Sequence, residues 1–385
     1  MEGWRETAVH EWRTLWSDLY RRSMSAGTGA EPPLQLAGWI SSYTGRPIAE
    51  REMREWLDRT AERILALAPR RLLEIGCGMG FLLARLAPAC EECWGVDFSP
   101  EAVAHVEREL AGRDSRVVVR QLAADDLGSL PRGRFDTVVL SSVVQYFPDL
   151  GYLYRVLAGI AALAAPGARI FLGDLRSLPL LPTFHLSVLL QQAAGDTPLA
   201  EIRAGVESRV SRERELVLDP ALFAALGRDR GIAIADLDVQ LKRGRARNEL
   251  TRFRYDVTLN LAGGGEPPAA TPEGRERWLD WRQAGLSLAA LRRRLADTAP
   301  PFLGIAGVPN VRLAAAVAAE SLLHGGDPGL LTVADLAEAL ESRRAVLAAA
   351  VEPEELWALS RDLPYRVGVH WGSSPGTFDV MLHHR

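Results

Sequence analysis

The stretch Glu74-Ile75-Gly76-Cys77-Gly78-Met79-Gly80 sets an acid just before three glycines at alternate positions. Glycines between a strand and a helix let a ligand lie against bare backbone, where a Cβ would collide. Asp97 follows 23 residues after Glu74, where an acceptor pair suits a ribose diol. Phe98 stands beside it. Asp125 and Asp126 come next, placed for an adenine amino group, and then Ser141 with Gln145 and Tyr146 behind it. Singly, each acid is more often a solvated loop charge. At the carboxyl ends of successive strands, together, they point to a nucleoside cofactor. The spacing is G-x-G-x-G, and Phe81 stands where the dinucleotide fingerprint needs its third small residue. That sets S-adenosylmethionine (SAM) ahead of a nicotinamide.

Alternating strand and helix patterns from residue 70 onward place these groups. Strands are expected at 71–76, 94–98, 116–122, 135–140 and 168–174, the mark of an α/β doubly wound sheet. Ser99-Pro100-Glu101 starts a helix with a cap and a proline. A mostly helical stretch at 183–227 follows, then strands at 232–242 and 251–261, an antiparallel pair suited to closing the sheet. Before the core, residues 4–22 form an amphipathic helix with Trp12 and Trp16 on its apolar face. The segment 38–48 reads either as a packed connector or as a lid in which Tyr43 touches the cofactor. The expected divisions are a helical lid (1–68), a cofactor-binding core (69–262), a Gly/Pro linker (263–275) and a mostly helical C-terminal lid or substrate subdomain (276–385).

Composition narrows the classes. The chain has 385 residues, is 48% hydrophobic and carries a formal charge of −4. A mildly acidic chain argues against a nucleic-acid partner. No apolar run approaches the length of a membrane span. The N-terminus is amphipathic and acidic, unlike a secretory leader, so a cytoplasmic location is expected. Cys90 and Cys93 form one C-x-x-C with no second pair to complete a zinc site, and no metal is expected.

The order Glu74–Gly80, Asp97, Asp125 and Ser141 resembles the class I SAM-dependent methyltransferases. More narrowly, the chain resembles the methyltransferase domains of polyketide and nonribosomal peptide synthases. The likeness lies in residues 38–48, 141–147, 173–181, 184–187 and 248–256, and in the tail at 354–357 and 376–380. Ser141 departs from it, since relatives more often carry asparagine there. The resemblance implies a Rossmann-like class I sheet, SAM as cofactor, adjacent synthase domains, and an acyl or peptidyl carrier protein that presents its substrate on a phosphopantetheine arm.

An alcohol that accepts a methyl group must lose its proton to a nearby base. His185 follows the fifth strand on the cofactor edge, and Glu249 lies in the crossover between the last two strands. The resemblance implies a His185–Glu249 pair, with Asn248 as an amide that orients the acceptor. Lys242-Arg243-Gly244-Arg245-Ala246-Arg247 reads as a basic docking rim or a solvated hairpin loop. The expected activity is O-methylation of a β-hydroxyl or enol on a carrier-bound polyketide. The alternative is N-methylation of an aminoacyl or peptidyl amine. An oxidoreductase and a catalytically silent docking domain are the other classes considered.

Overall fold

The computed structural model describes residues 2–25, 38–226, 232–263 and 278–385. The first helix, Glu2–Ser25, takes in the first residues of the loop expected at 23–33; the rest of that loop, and the linker expected at 263–275 from 264 on, lie outside them.

Helix α1 (Glu2–Ser25) comes first. A hairpin bridging Ile40 and Pro47 leads into α2 (Glu50–Leu65). The alternation then runs β1 (Arg71–Ile75), α3 (Phe81–Leu86), β2 (Glu92–Asp97), α4 (Pro100–Val106), β3 (Val117–Gln121), β4 (Phe135–Ser141), α5 (Leu150–Leu163) and β5 (Ala164–Arg176). Helices α6 (Leu181–Gln192), α7 (Leu199–Ser211) and α8 (Ala221–Leu226) follow. Next come β6 (Ile234–Leu241), the short α9 (Glu249–Phe253) and β7 (Arg254–Leu261). The remainder adds β8 (Leu279–Asp280), α10 (Leu288–Thr298), β9 (Phe302–Pro309), α11 (Ala314–His324), α12 (Val333–Glu341) and α13 (Arg344–Ala348). It ends with α14 (Pro353–Trp357), α15 (Leu359–Asp362), β10 (Tyr365–Trp371) and β11 (Thr377–His384).

The sheet order is β3-β2-β1-β4-β5-β7-β6-β10-β11-β9-β8. Strands β1 to β5 are parallel, and β7 turns the direction by pairing antiparallel with β5. Side chains alternate across β1: Leu73 and Ile75 enter one apolar core, Leu72 the other. A parallel sheet must be covered on both faces in this way. Helix starts carry their own signals. Ser99 accepts the Ala102 N–H at the head of α4, and Asp149 accepts the Tyr152 N–H at 2.8 Å at the head of α5.

Several features differ from expectation. The last core strand begins at Arg254 instead of 251, because the Asn248 side chain caps a helical turn, accepting the N–H groups of Leu250 (3.0 Å) and Thr251 (3.3 Å). The fifth strand begins at Ala164, with its register shifting past Pro166 and Gly167 instead of turning there. The C-terminal stretch has its helices and closing hairpin, but β9 was not expected. The hairpin also joins the core sheet, through His370 opposite Gln240. Buried Arg312 holds this junction, donating to the carbonyls of Lys242 (2.7 Å) and Gly244 (2.6 Å) and pairing with Glu352.

Candidate active site

A cleft opens at the carboxyl ends of β1, β2 and β4. Its floor is the glycine turn, where Gly76, Gly78 and Gly80 all have positive φ. A Cβ on Gly76 would sit 2.5 Å from Val143, and one on Gly78 would sit 2.9 Å from the Tyr20 hydroxyl. The close approach at Gly78 shows how α1 lies over the turn. Val9, Trp12, Trp16 and Tyr20 of that helix line the cleft. Tyr146 packs against Trp12 (4.7 Å) and Trp16 (5.3 Å). The helix is pinned by Ser17 to Ser99 (3.0 Å) and Arg21 to Glu101 (2.7 Å).

Glu74 and Asp97 are buried at the edge of this cleft. Burial pushes the Glu74 carboxyl well up, and the nearby Asp97 charge adds to this. Its Oε2 has no hydrogen-bond partner. A cationic ligand group would relieve both costs. Asp97 accepts the N–H of Gly78 and of Ser99, each at 2.9 Å. Burial still raises it to about 6. Ser141 Oγ is also buried without a partner. Together the glycine cradle and the unsatisfied acceptors fit SAM. Cys77 lines the cleft, but burial lifts its thiol far from reactivity. Phe98, Ser141 and Tyr146 line it as well.

Five expected cofactor residues are not on the cleft wall. Asp125 and Asp126 are exposed; Asp125 accepts the Tyr152 hydroxyl at 2.8 Å, and Tyr152 is the residue that lines the cleft. Gln145 is buried outside the cleft lining. Gly80 heads α3, packed under Leu110 and Val106. Tyr43 bonds Ser187 (2.7 Å) and stacks edge-on with Phe184, outside both chambers. The aromatic face of α1 carried a packing signal in the sequence but no sign of which surface it covered.

A second chamber shares Trp16, Trp39 and Tyr146 with the cleft. It is lined by His185, Glu213, Glu215 and Glu249, with Phe184, Leu250 and Phe253. His185 Nε2 lies 3.6 Å from Glu213, so the expected pairing with Glu249 gives way to one with Glu213. Burial works against that charge, yet His185 and Arg176 hold the Glu213 carboxyl well below its usual range. Arg176 bonds Glu213 (2.7 Å) and Glu215 (2.8 Å). Glu249 instead accepts the Ser42 N–H (2.7 Å) and the Ser41 hydroxyl (3.3 Å). Asn248 lies off the chamber wall, its amide committed to the α9 cap and to Glu52 (2.8 Å). The basic rim loses two members. Lys242 is buried against Asp256 (2.9 Å), and Arg243 pairs with Glu354 (2.8 Å).

Between the chambers stands Asp174, fully buried at φ +67. It accepts Ser142 Oγ (2.8 Å), Trp56 Nε1 (3.2 Å) and Arg254 (2.5 Å). Burial opposes its charge, but Arg254 and Lys242 hold its carboxyl below the usual range. Ser142 and Trp56 face the cleft while Arg254 faces the second chamber, so one carboxylate fixes walls of both. Among the described residues no group of His, Cys, Asp and Glu could hold a metal ion, and no helix is long and apolar enough to cross a membrane.

Residues 73–170 match a family described as "Methyltransferase domain". The chain is 40% identical over 391 residues to a chondramide synthase of Chondromyces crocatus, covering 99% of this chain and 10% of that one. It is 36% identical over 374 residues to a probable non-canonical nonribosomal peptide synthetase of Salinispora arenicola, covering 96% and 4%. The chain thus spans a tenth or less of these relatives' length. Among solved structures it is similar to the magnesium protoporphyrin IX methyltransferase of Synechocystis PCC 6803 with bound SAH. That likeness has 18% identity and a TM-score of 0.43, and covers 66% of this chain and 100% of that one. The chain belongs to the class I SAM-dependent methyltransferases, in the branch whose relatives are segments of nonribosomal peptide synthetases.

Proposed function

We propose that this chain methylates the amino nitrogen of an aminoacyl or peptidyl group held on the phosphopantetheine arm of a carrier protein. SAM supplies an electrophilic methyl group on a sulfonium sulfur. Glu74 takes the methionine ammonium, Asp97 the ribose hydroxyls, and Tyr152 and Phe98 flank the base. The acceptor enters from the second chamber, past the aromatic gate of Trp16, Trp39 and Tyr146. Buried Trp16 Nε1 has no partner and donates to the acceptor's carbonyl oxygen.

The carboxylates of the acceptor chamber carry this reading. Glu213, Glu215 and Glu249 outnumber the Arg176 that bonds two of them, and the excess negative charge on the wall suits an amine, which can carry positive charge, better than a neutral alcohol. The nitrogen lone pair would take the methyl group as its bond to the sulfonium sulfur breaks and the thioether S-adenosylhomocysteine leaves, and the proton the nitrogen then sheds would pass to His185. An alcohol makes a harder demand. Its proton must leave as the bond forms, so the imidazolium needs its carboxylate during that step and not only after it, as with an amine. Glu213 is already matched by Arg176. That the curated relatives include peptide synthetases supports an amine acceptor too. O-methylation remains a second reading because His185 Nε2 faces the chamber without a hydrogen bond.

The test uses carrier proteins loaded with aminoacyl or hydroxyacyl groups, incubated with SAM and weighed intact. Methyl gain on the aminoacyl set alone is expected. His185→Ala should slow that reaction by less than the ~10²-fold that a positioned base usually contributes, with SAM affinity unchanged. Methyl gain on the hydroxyacyl set alone, abolished in His185→Ala, would replace this reading with the second.

A further inference from the structure

One lip of the acceptor chamber is the hairpin 40–47, whose Ile40 and Ser42 face inward. Two guanidinium groups are tied to it, those of Arg252 and Arg209, and a third arginine belongs to it. Arg46 lies on the hairpin, its carbonyl accepting the Ser41 N–H at 2.8 Å. Arg252 donates to the Tyr43 hydroxyl at 2.9 Å. Arg209 donates to Gln192 Oε1 at 3.3 Å, and Gln192 Nε2 bonds the carbonyls of Ser42 (3.1 Å) and Tyr43 (3.2 Å).

Among the described residues, no carboxylate pairs with Arg46, Arg209 or Arg252. The contrast with the chamber's other arginines is sharp. Arg176 and Arg254 each hold an acid there, and Arg63, Arg243 and Arg312 hold acids in the surrounding core. Glu249, three residues before Arg252, directs its oxygens to Ser41 and Ser42. In a chain with more acids than bases, three uncompensated cations from the hairpin, α7 and α9 are a local excess around one lip. The hairpin tip is open, since a Cβ on Gly45 would meet nothing within 4 Å.

We infer that Arg46, Arg209 and Arg252 form a collar that binds a phosphoryl group on the tether of the incoming acceptor. This rests on the reading that the acceptor arrives on a phosphorylated arm. A phosphate ester offers several strong acceptor oxygens around one centre, which suits guanidinium groups approaching from three elements better than a lone carboxylate does. The collar sits beside the chamber and outside its lining, so it would hold the arm while the acceptor end reaches His185. It also takes the place of the basic rim expected at 242–247, where Lys242 and Arg243 are internally paired.

Calorimetry on the whole chain with 4′-phosphopantetheine and with pantetheine tests this without any methyl transfer. The phosphorylated arm should bind about tenfold more tightly at low ionic strength, and added salt should shrink the difference. The double variant Arg46→Ala/Arg209→Ala should lose the difference and keep its SAM affinity. Equal affinity for the two arms, no measurable binding of either, or an undiminished preference in the double variant would each overturn the collar. Because no methyl acceptor is present, failure of the amine reading and failure of the collar are separately visible.

Discussion

Asp97 gives the sharpest prediction, because the structure sets two opposing effects on one carboxylate. Burial raises its pKa from 3.8 to about 6. That shift makes the ionised form of the ligand-free fold costly by roughly 3 kcal/mol. The folded chain holds this proton where the unfolded chain has lost it. Stability of the ligand-free protein therefore falls as pH rises through the window from about 4 to 6. SAM affinity runs the other way, since the ribose hydroxyls need the ionised acid. With a pKa near 6, about a tenth of Asp97 is ionised at pH 5 and about nine-tenths at pH 7, so affinity should rise about tenfold over that span.

The variant Asp97→Asn separates the two effects. It removes the cost of a buried charge, but both oxygens already accept backbone N–H groups, from Gly78 and Ser99. The amide turns an NH₂ toward one of them, leaving a donor unpaired at about 1–3 kcal/mol. These terms nearly cancel, so unfolding free energy at pH 7 should change by less than about 2 kcal/mol. SAM binding loses a charge-assisted bond of about 1.5–3 kcal/mol, or roughly 10- to 150-fold. Denaturant melts and titration calorimetry between pH 5 and pH 8 read both quantities. A SAM affinity that is flat across this range, or within twofold in Asp97→Asn, would refute the assignment of Asp97 to the ribose.

Gly78→Ala should weaken SAM binding at least tenfold. It strains a φ of +51 and pushes the new methyl into the Tyr20 hydroxyl, and the accompanying shift of α1 should appear as faster proteolysis near that helix. Arg312→Ala should lower stability by about 3–5 kcal/mol, because it leaves Glu352 and two carbonyls of the β6–α9 connection unpaired; unchanged melting would mean that the C-terminal strands are not held there. Ser142→Ala should raise the KM for SAM and disturb acceptor turnover together, since Asp174 braces walls of both chambers through Ser142 and Arg254; a change in only one constant would argue against a shared brace.

Local signals in the chain made much of the cofactor half legible. An acid before alternating glycines, a serine–proline helix start and alternating apolar runs each act over a few residues. The structure has β1 and its glycine turn, helix α4 and the parallel strands at those places, and a cleft at the strands' carboxyl ends. Asp125 shows the limit of this reading. Its spacing suggested an adenine contact, yet a Tyr152 hydroxyl from 27 residues away takes its Oδ1 and presents a ring to the cleft instead. Asn248 shows another limit, since a cap and an acceptor-orienting amide need the same residue type.

What the chain by itself determined is the class of fold, a nucleoside cofactor and the edge of the sheet that holds it, because these follow from periodicity and from glycine's freedom at positive φ, while SAM itself came from the family resemblance. Only the tertiary structure decided which carboxylate meets His185. Glu213 and Glu249 are both plausible by type. Their partners differ because the 38–48 hairpin claims Glu249 through Ser41 and Ser42, while the turn after α7 carries Glu213 to Arg176 and the imidazole. The same is true of the sheet's length. Nothing local joins β10 to β6, and the join depends on Arg312 and a shared apolar core in which Leu241 packs with Val369 and Leu356.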